Sequence, residues 1–248
     1  MEKNRFRERV VLITGAASGI GLATARRIGS EGGRVVLVDR DGKKLDEAEY
    51  DVKSSGAAAV LTSVCDVKDA EQVKATIARS LEHFGKIDAI VNNAGVMIFK
   101  PLVEHTVDDW TNVLSVDLIG AFLFIQQGFL VMQPGSCIVN VSSIHAVETT
   151  PLVASYAAAK AALLSLTRTA ALEGKAKGIR VNAVLPGAVN TPMLWDNPNI
   201  KAGLETIHAD DVGQPGDIAS VIAFLASADS SFVQGASVRV DGGRLASL

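Results

Sequence analysis

Cysteine is scarce in this sequence, and its scarcity argues against two kinds of site. Only Cys65 and Cys137 occur, each within an apolar run typical of a strand. They show neither CxxC spacing nor companion histidines, so the pattern favours buried free thiols over a disulfide or a metal site. His105 and His208 have no carboxylate or cysteine at ligand spacing, and we predict no metal.

Long apolar runs and clusters of positive charge are missing too. The N-terminal stretch MEKNRFRERVVLITG has no apolar region of the signal-peptide kind, and no later run approaches the length of a membrane span. The net charge of −3 comes without a concentration of lysine or arginine. This gives little reason to expect a nucleic-acid or membrane partner. We expect a soluble cytoplasmic protein.

What the sequence does have is an alternation of β-branched runs with longer alanine-rich stretches of helical pattern. The runs are almost continuously apolar, as expected when helices cover both faces of a sheet. The alternation predicts an α/β fold: one Rossmann-type, doubly wound domain over residues 1–248 with a seven-stranded parallel sheet. The predicted strands are 9–13, 34–38, 58–62, 88–92, 136–141, 179–184 and 236–240, and the predicted helices are 20–30, 41–54, 70–84, 108–131, 154–175 and 215–228. The irregular segment at about 190–213 is predicted to be a substrate lid.

A glycine-rich turn follows the first predicted strand, in TGAASGIGLATARRI. Gly15, Gly19 and Gly21 stand where the chain must turn from strand to helix, and glycine lets the backbone approach a pyrophosphate that the helix N-terminus stabilises. The spacing G-x-x-x-G-x-G is a weak signal alone, because glycine turns also serve structural ends. Its place between a strand and a helix favours dinucleotide binding.

Asp39 ends the second predicted strand. A carboxylate there can accept hydrogen bonds from the adenosine ribose hydroxyls, and it repels a 2′-phosphate. Neither Ala16 nor Ala17 offers a cation to offset that repulsion, although Arg40 is next in the chain. The pattern therefore favours NAD over NADP, while a solvated strand end is the plainer alternative.

Tyr156 and Lys160 stand four residues apart in a run of alanines, on one face of the predicted helix. A free phenol has a pKa of about 10, too high for a base at neutral pH, and a nearby ammonium lowers it. On an arbitrary helix such a pair simply packs side by side. The other motifs of the sequence decide whether this pair is catalytic or only packs side by side.

The glycine loop, the stretch Asn92-Asn93-Ala94-Gly95 and the Tyr156-x-x-x-Lys160 pair occur in one chain, in this order. Together they resemble the classical short-chain dehydrogenase/reductases over residues 9–243. The resemblance implies an NAD(P)-dependent oxidoreductase acting on alcohols or ketones, with a serine thirteen positions before the tyrosine, here Ser143. It implies the cofactor-binding set Gly15, Ser18, Gly19, Ile20, Gly21, Asp39, Asp66, Val67, Asn93, Ala94, Gly95, Tyr156, Lys160, Pro186, Gly187, Val189 and Thr191.

The catalytic set implied by the resemblance is Ser143, Tyr156 and Lys160, with one departure at a fourth position. Where family members usually carry asparagine, this chain reads VLSVDLIG and has Asp117. The asparagine is associated with a helix distortion and a water that links the lysine to solvent. Asp117 can hold that water and take a proton, or it can pair with Lys160 and disturb its role.

The substrate is less well indicated than the reaction. Met97, His145, Glu148 and Trp195 are the predicted pocket residues, each with ordinary packing or a solvated loop as an alternative. The open choices are a sugar or polyol, a hydroxysteroid or other cyclic alcohol, and a 3-oxoacyl thioester reduced with NADPH. A catalytically silent, dinucleotide-binding redox sensor or scaffold is the competing class. The resemblance also implies a homotetramer or homodimer.

Overall fold

A seven-stranded parallel sheet forms the centre of the molecule, whose computed structural model describes residues 4–201 and 211–246. The strand order is β3-β2-β1-β4-β5-β6-β7, and every neighbouring pair is parallel. The Rossmann-type prediction is confirmed, and all seven strands lie within about two residues of their predicted bounds. The strands are β1 Val10–Thr14, β2 Arg34–Asp39, β3 Ala59–Val64, β4 Ala89–Asn92, β5 Cys137–Val141, β6 Arg180–Pro186 and β7 Ser237–Val240.

Helices cover both faces of the sheet. The described helices are α1 Gly19–Ser30, α2 Gly42–Ser54, α3 Ala70–Phe84, α4 Val107–Leu114, α5 Gly120–Val131, α6 Ala154–Lys175, α7 Pro192–Trp195, α8 Pro198–Lys201 and α9 Pro215–Ala226. Alternate residues of each strand point to opposite faces. Val11 and Ile13 therefore pack with α1, α2 and α9, whereas Val10 and Leu12 pack with α3, α5 and α6. Two apolar layers result, and both cysteines are buried as free thiols.

The helix predicted over 108–131 is not uniform. Its centre widens into a π-helical turn, Ser115–Ile119, between α4 and α5, and such turns often occur at functional sites. Periodicity does not reveal a single inserted residue, so the sequence predicted one regular helix.

The same stretch corrects the expectation that no segment reaches the length of a membrane span. Val107–Val131 is long and apolar enough by length and composition, and an 18-residue window within it has a mean hydropathy of 1.7. Of that window, 44% is buried inside the structure, and Phe124 and Ile125 pack in the core against the sheet. A core helix of a folded protein passes the same test.

A buried carboxylate ties the N-terminal segment to α1 and supports the edge of the fold. Glu31 is 3% exposed and accepts from Arg5 at 2.6 and 3.0 Å as well as from Arg27. We expect Glu31→Gln to lower the free energy of unfolding by about 2 kcal/mol, because Arg27 loses its counter-charge and Arg5 keeps only the exposed Asp229. Glu49→Gln, at the exposed Lys53 ion pair, should change it by less than about 0.5 kcal/mol. Urea unfolding of both variants measures the difference; equal values would contradict the argument.

The strand order reverses between β1 and β4. β1 leads to β2 on one side, and the chain later returns to place β4 on the other side. In a doubly wound sheet, a crevice opens at the carboxyl ends of the strands at such a switch point, and ligands bind there. Thr14 ends β1 and Asn92 ends β4, so the motifs that follow these two strands meet at this crevice.

Candidate active site

A cavity of about 440 Å³ opens at the switch point of the sheet. Its walls come from segments that follow the carboxyl ends of all seven strands, together with α6. Most of the predicted site residues line it: Gly15, Ser18, Gly19, Ile20, Asp39, Asp66, Val67, Asn93, Ala94, Gly95, Met97, Ser143, His145, Tyr156, Lys160, Pro186, Gly187, Val189 and Thr191.

Four predicted residues do not line this cavity. Gly21 lies behind the glycine loop, and Asp117 lies in the protein interior beneath Gly95. Glu148 is exposed on the loop after β5, because the turn that places His145 on the cavity carries the chain back to the surface. Trp195 is 46% exposed and donates from its indole Nε1 to Asn190 at 2.8 Å. Residues 202–210 of the predicted lid lie outside the described part of the chain.

The turn from β1 into α1 is shaped by close backbone contacts. Gly15 has φ +63, and a Cβ there would lie 2.9 Å from Cα of Ala94. A Cβ on Gly21 would lie 2.1 Å from the carbonyl oxygen of Gly15, so only glycine lets α1 start this close to the loop. Ser18, the residue before α1, makes no side-chain capping bond. Its hydroxyl and the first-turn N–H groups of α1 therefore remain available to an anion in the cavity.

The glycine loop and the turn after β4 are tied together. Thr14 Oγ1 accepts from the N–H groups of Asn93 and Ala94, both at 3.0 Å. The Asn93 amide donates to the carbonyl oxygens of Thr14 at 2.9 Å and Gly15 at 3.1 Å. These bonds hold the two sides of the crevice at one spacing, as a dinucleotide lying across it requires.

Asp39 is held at the end of β2 by two backbone donors. Its Oδ2 accepts from Ala17 N–H and its Oδ1 from Asp41 N–H, both at 3.2 Å. The carboxylate faces the cavity, and so do Arg40 and Lys44. Sequence reasoning missed Lys44, because no motif marks the first turn of α2. This part of the wall therefore carries two carboxylates, Asp39 and Asp41, next to two cations.

Ser143, Tyr156 and Lys160 come together on the opposite side of the crevice. Tyr156 is 7% exposed and Lys160 is 3% exposed, and Lys160 Nζ lies 5.4 Å from the centroid of the tyrosine ring. Two bonds hold α6 against β5: Ser142 Oγ donates to the Lys160 carbonyl at 2.9 Å, and Lys160 Nζ donates to the Val141 carbonyl at 3.0 Å. The predicted pair therefore faces the cavity rather than solvent.

The charges around Tyr156 act against one another. Burial raises the pKa of the Tyr156 phenol, Lys160 opposes this rise, the Asp117 carboxylate adds to it, and the Ser143 hydroxyl opposes it. Burial, the largest single effect, would lower the pKa of Lys160, but Asp117 and Tyr156 together outweigh burial and the pKa is raised. The lysine is therefore an ammonium at neutral pH, with its charge next to the phenol.

Several cavity residues had no signal in the sequence. Four of them follow strand ends without any recognisable motif, and only the fold brings them to the crevice: Phe99, Thr150, Val153 and Arg244. Three more, Met193, Leu194 and Asn197, lie in the segment predicted as a lid but were not named individually. Within residues 4–201 and 211–246, no group of three or more His, Cys, Asp or Glu side chains is arranged to hold a metal ion.

Comparison with known proteins identifies the family. Residues 15–244 match a family model described as enoyl-(acyl carrier protein) reductase. The chain is 37% identical over 255 residues to short-chain dehydrogenase/reductase aba4 of Botryotinia fuckeliana, covering 98% of this chain and 99% of that protein. It is 40% identical over 243 residues to the cis-4-hydroxycyclohexanecarboxylate dehydrogenase of Sinomonas cyclohexanicum, covering 96% and 97%. The crystal structure of levodione reductase superposes with a TM-score of 0.92 at 38% identity, covering 98% and 100%.

The chain belongs to the short-chain dehydrogenase/reductase family, as its motifs predicted. It is an NAD(P)-dependent oxidoreductase that acts on CH–OH groups. The family requires a nicotinamide dinucleotide, and the glycine turn, the uncapped start of α1 and the ribose-end carboxylate fit that cofactor.

Proposed function

We propose that this protein interconverts a secondary alcohol and its ketone with NAD(H), using Tyr156 as the acid/base. The observation that supports this proposal most is the shared cavity. Tyr156, Lys160 and Ser143 line the same crevice as the glycine loop and Asp39. A phenol and an ammonium that merely packed side by side on a helix would have no reason to face a dinucleotide-shaped crevice.

Each residue has a distinct task in this proposal. A bound nicotinamide supplies the hydride acceptor for oxidation or the hydride donor for reduction. Tyr156 takes the proton of the substrate hydroxyl, or gives a proton to the carbonyl oxygen in the reverse direction. Lys160 holds a positive charge beside the phenol and so favours the phenolate. Ser143 donates a hydrogen bond to the substrate oxygen, where negative charge develops.

The cofactor preference depends on the charges at the end of β2. Asp39 lies on the cavity wall and repels a 2′-phosphate, which supports NAD. Arg40 and Lys44 on the same wall offset part of that repulsion. We therefore propose NAD as the preferred cofactor, with NADP binding more weakly rather than being excluded.

The cavity walls favour an apolar, ring-shaped substrate over a polyol. Met97, Phe99, Val153 and Leu194 are apolar residues that line the same cavity as Tyr156, and a polyol hydroxyl that faces them would have no partner. The similar dehydrogenase of Sinomonas cyclohexanicum is named for a hydroxycyclohexane substrate. We propose a cyclic secondary alcohol, a hydroxysteroid being one example. The runner-up substrate is a 3-oxoacyl thioester, for whose biosynthetic reduction NADPH is the expected cofactor.

A substrate panel tests the reaction and the competing readings together. The purified protein is mixed with cyclic alcohols, polyols, a hydroxysteroid, and oxoacyl and enoyl thioesters, each with NAD(H) and NADP(H), and the absorbance of reduced nicotinamide is followed. Steady turnover of a cyclic alcohol with NAD supports the proposal. Cofactor binding without turnover across the panel favours the silent sensor or scaffold, and NADPH-dependent thioester reduction alone favours the runner-up.

We further propose that the protein is located in the cytoplasm and that the segment at about 190–213 covers the substrate.

We also propose that the protein forms a homotetramer or homodimer. Apolar side chains on α5 and α6 support the assembly: Leu130 is 74% exposed and Leu172 is 76% exposed, and Phe122 is 39% exposed while Phe124 is buried. Light scattering should give a multiple of the chain mass, and Leu130→Lys with Leu172→Lys should reduce it. A monomeric wild-type protein would contradict this proposal.

A further inference from the structure

Asp117 is a carboxylate at a depth where carboxylates are rare. It is 1% exposed, lies on the π-helical turn Ser115–Ile119, and does not reach the cavity. A buried charge of this kind is costly unless other groups compensate for it. The contacts of the Asp117 carboxylate therefore indicate which groups compensate its charge.

Both oxygens of the carboxylate face a partner. Oδ1 accepts the backbone N–H of Val96 at 2.8 Å, and Oδ2 lies 3.2 Å from Lys160 Nζ. The second contact has the distance of an ion pair without the angle of a hydrogen bond. Gly95 makes room for it, because a Cβ there would lie 2.9 Å from Oδ2 and 3.4 Å from Nζ.

The ion pair changes what Tyr156 experiences. An isolated ammonium would present a full positive charge to the phenol, whereas an ammonium with a carboxylate 3.2 Å away presents a dipole, whose field falls off much faster. Lys160 is the cation whose charge acts on the Tyr156 hydroxyl, and Asp117 is the anion that opposes it. From the loop after β5, the His145 ring packs edge-on at 6.0 Å and Ser143 contributes a hydroxyl; from the turn after β4, Val96, Met97 and Ile98 pack against the cluster that contains Tyr156.

We propose that Asp117 is a buried counter-ion that cancels much of the Lys160 charge at the Tyr156 hydroxyl, so that alcohol oxidation by this protein requires more alkaline solution than it would with asparagine at this position. The proposal rests on the oxidoreductase function proposed above and assigns a positioning residue to it. Asp117 acts through Lys160 and does not touch the reacting atoms.

The geometry disfavours the alternative, in which Asp117 itself receives the proton from the active site. The carboxylate lies outside the cavity, its Oδ1 is occupied by Val96, and its Oδ2 faces the lysine. A proton leaving Tyr156 meets Lys160 first. Burial raises the pKa of Asp117, while Lys160 and the Val96 N–H favour its charged form.

The chain allows a direct test without substrate or cofactor, because it contains only two tyrosines. Tyr50 is 77% exposed, so in a Tyr50→Phe background the ultraviolet difference spectrum of phenolate reports Tyr156 alone. Adding Asp117→Asn keeps an oxygen to accept from Val96 and removes the charge. We expect Tyr156 to titrate at least about one pH unit lower in this variant. Asp108→Asn, an exposed carboxylate on the preceding helix, is the matched control and should leave the titration unchanged.

Two outcomes overturn the proposal: a Tyr156 titration that is unchanged in Asp117→Asn, or one that moves to higher pH. Circular dichroism checks that the variant folds, and Asp117→Ser carries the same expectation if the asparagine variant does not. With a substrate in hand, the rising limb of kcat/KM for oxidation should move down in pH by the same amount. If the Tyr156 titration shifts but the protein turns over no alcohol or ketone, the result contradicts only the proposed reaction. The counter-ion role of Asp117 would still be supported.

Discussion

Tyr156→Phe should reduce turnover of any alcohol or ketone substrate by about 10³-fold while leaving NAD binding nearly unchanged. The change removes one oxygen atom from a 7% exposed side chain and keeps the ring. That oxygen is the proposed acid/base, and general acid–base catalysis contributes about 10²–10⁴-fold. Initial rates at saturating cofactor measure the loss, and isothermal titration calorimetry measures NAD affinity.

The second tyrosine supplies the control for that experiment. Tyr50→Phe makes the same chemical change at a side chain that is 77% exposed on α2, away from the cavity. It should leave both rate and affinity as they are. A Tyr156→Phe enzyme within tenfold of the wild-type rate would show that another group moves the proton, and the acid/base assignment would then be wrong.

Asp39→Asn should lower the NAD-to-NADP ratio of kcat/KM by about 10²-fold. The asparagine keeps one oxygen as an acceptor but removes the charge, so the hydrogen bonds to the ribose hydroxyls weaken by about 1.5 kcal/mol and the repulsion of a 2′-phosphate disappears. Arg40 and Lys44, already on the cavity wall, then face the phosphate with only Asp41, which lies 3.8 Å from Lys44 Nζ, to oppose them. Both parameters come from initial rates with each cofactor at one fixed substrate concentration.

Asp46→Asn is the comparison for the cofactor experiment. Asp46 is an exposed carboxylate on α2, outside the crevice, so its loss changes the net charge equally without touching the ribose end. It should leave the ratio within about twofold. An Asp39→Asn enzyme with an unchanged ratio would remove the ribose role from Asp39 and leave NAD preference to other residues.

The sequence predicted the fold well because its signals are local and repeated. Nearly continuous apolar runs of five or six residues identified each strand of a sheet covered on both faces, and glycine turns marked where strands end. The same signals misjudged the stretch 108–131, since a π-helical turn inserts one residue without breaking the apolar pattern. The apolar pattern does not report such an insertion, although the family resemblance associates a helix distortion with this position.

The candidate site divided in the same way. Residues that belong to motifs, such as Tyr156 and Asp39, were named from spacing, and the structure places them on one cavity. Glu148 and Trp195 were chosen from their neighbours in the chain and lie at the surface. Lys44 and Phe99 were missed because no motif marks them. Only the way in which α2 and the loop after β4 pack beside the cavity places these two side chains on its wall.

By itself, the sequence determined the class of the protein: a parallel, doubly wound sheet, a dinucleotide turn, and a tyrosine–lysine pair on one helix face. Those features follow from hydrophobic periodicity and local backbone conformation, which depend on residues close together in the sequence. Only the tertiary structure decided between the two roles open to Asp117. How α6 packs against the π-helical turn decides whether the Asp117 carboxylate faces the cavity or contacts the ammonium of Lys160. The distance of 3.2 Å between Asp117 Oδ2 and Lys160 Nζ shows that it contacts the ammonium.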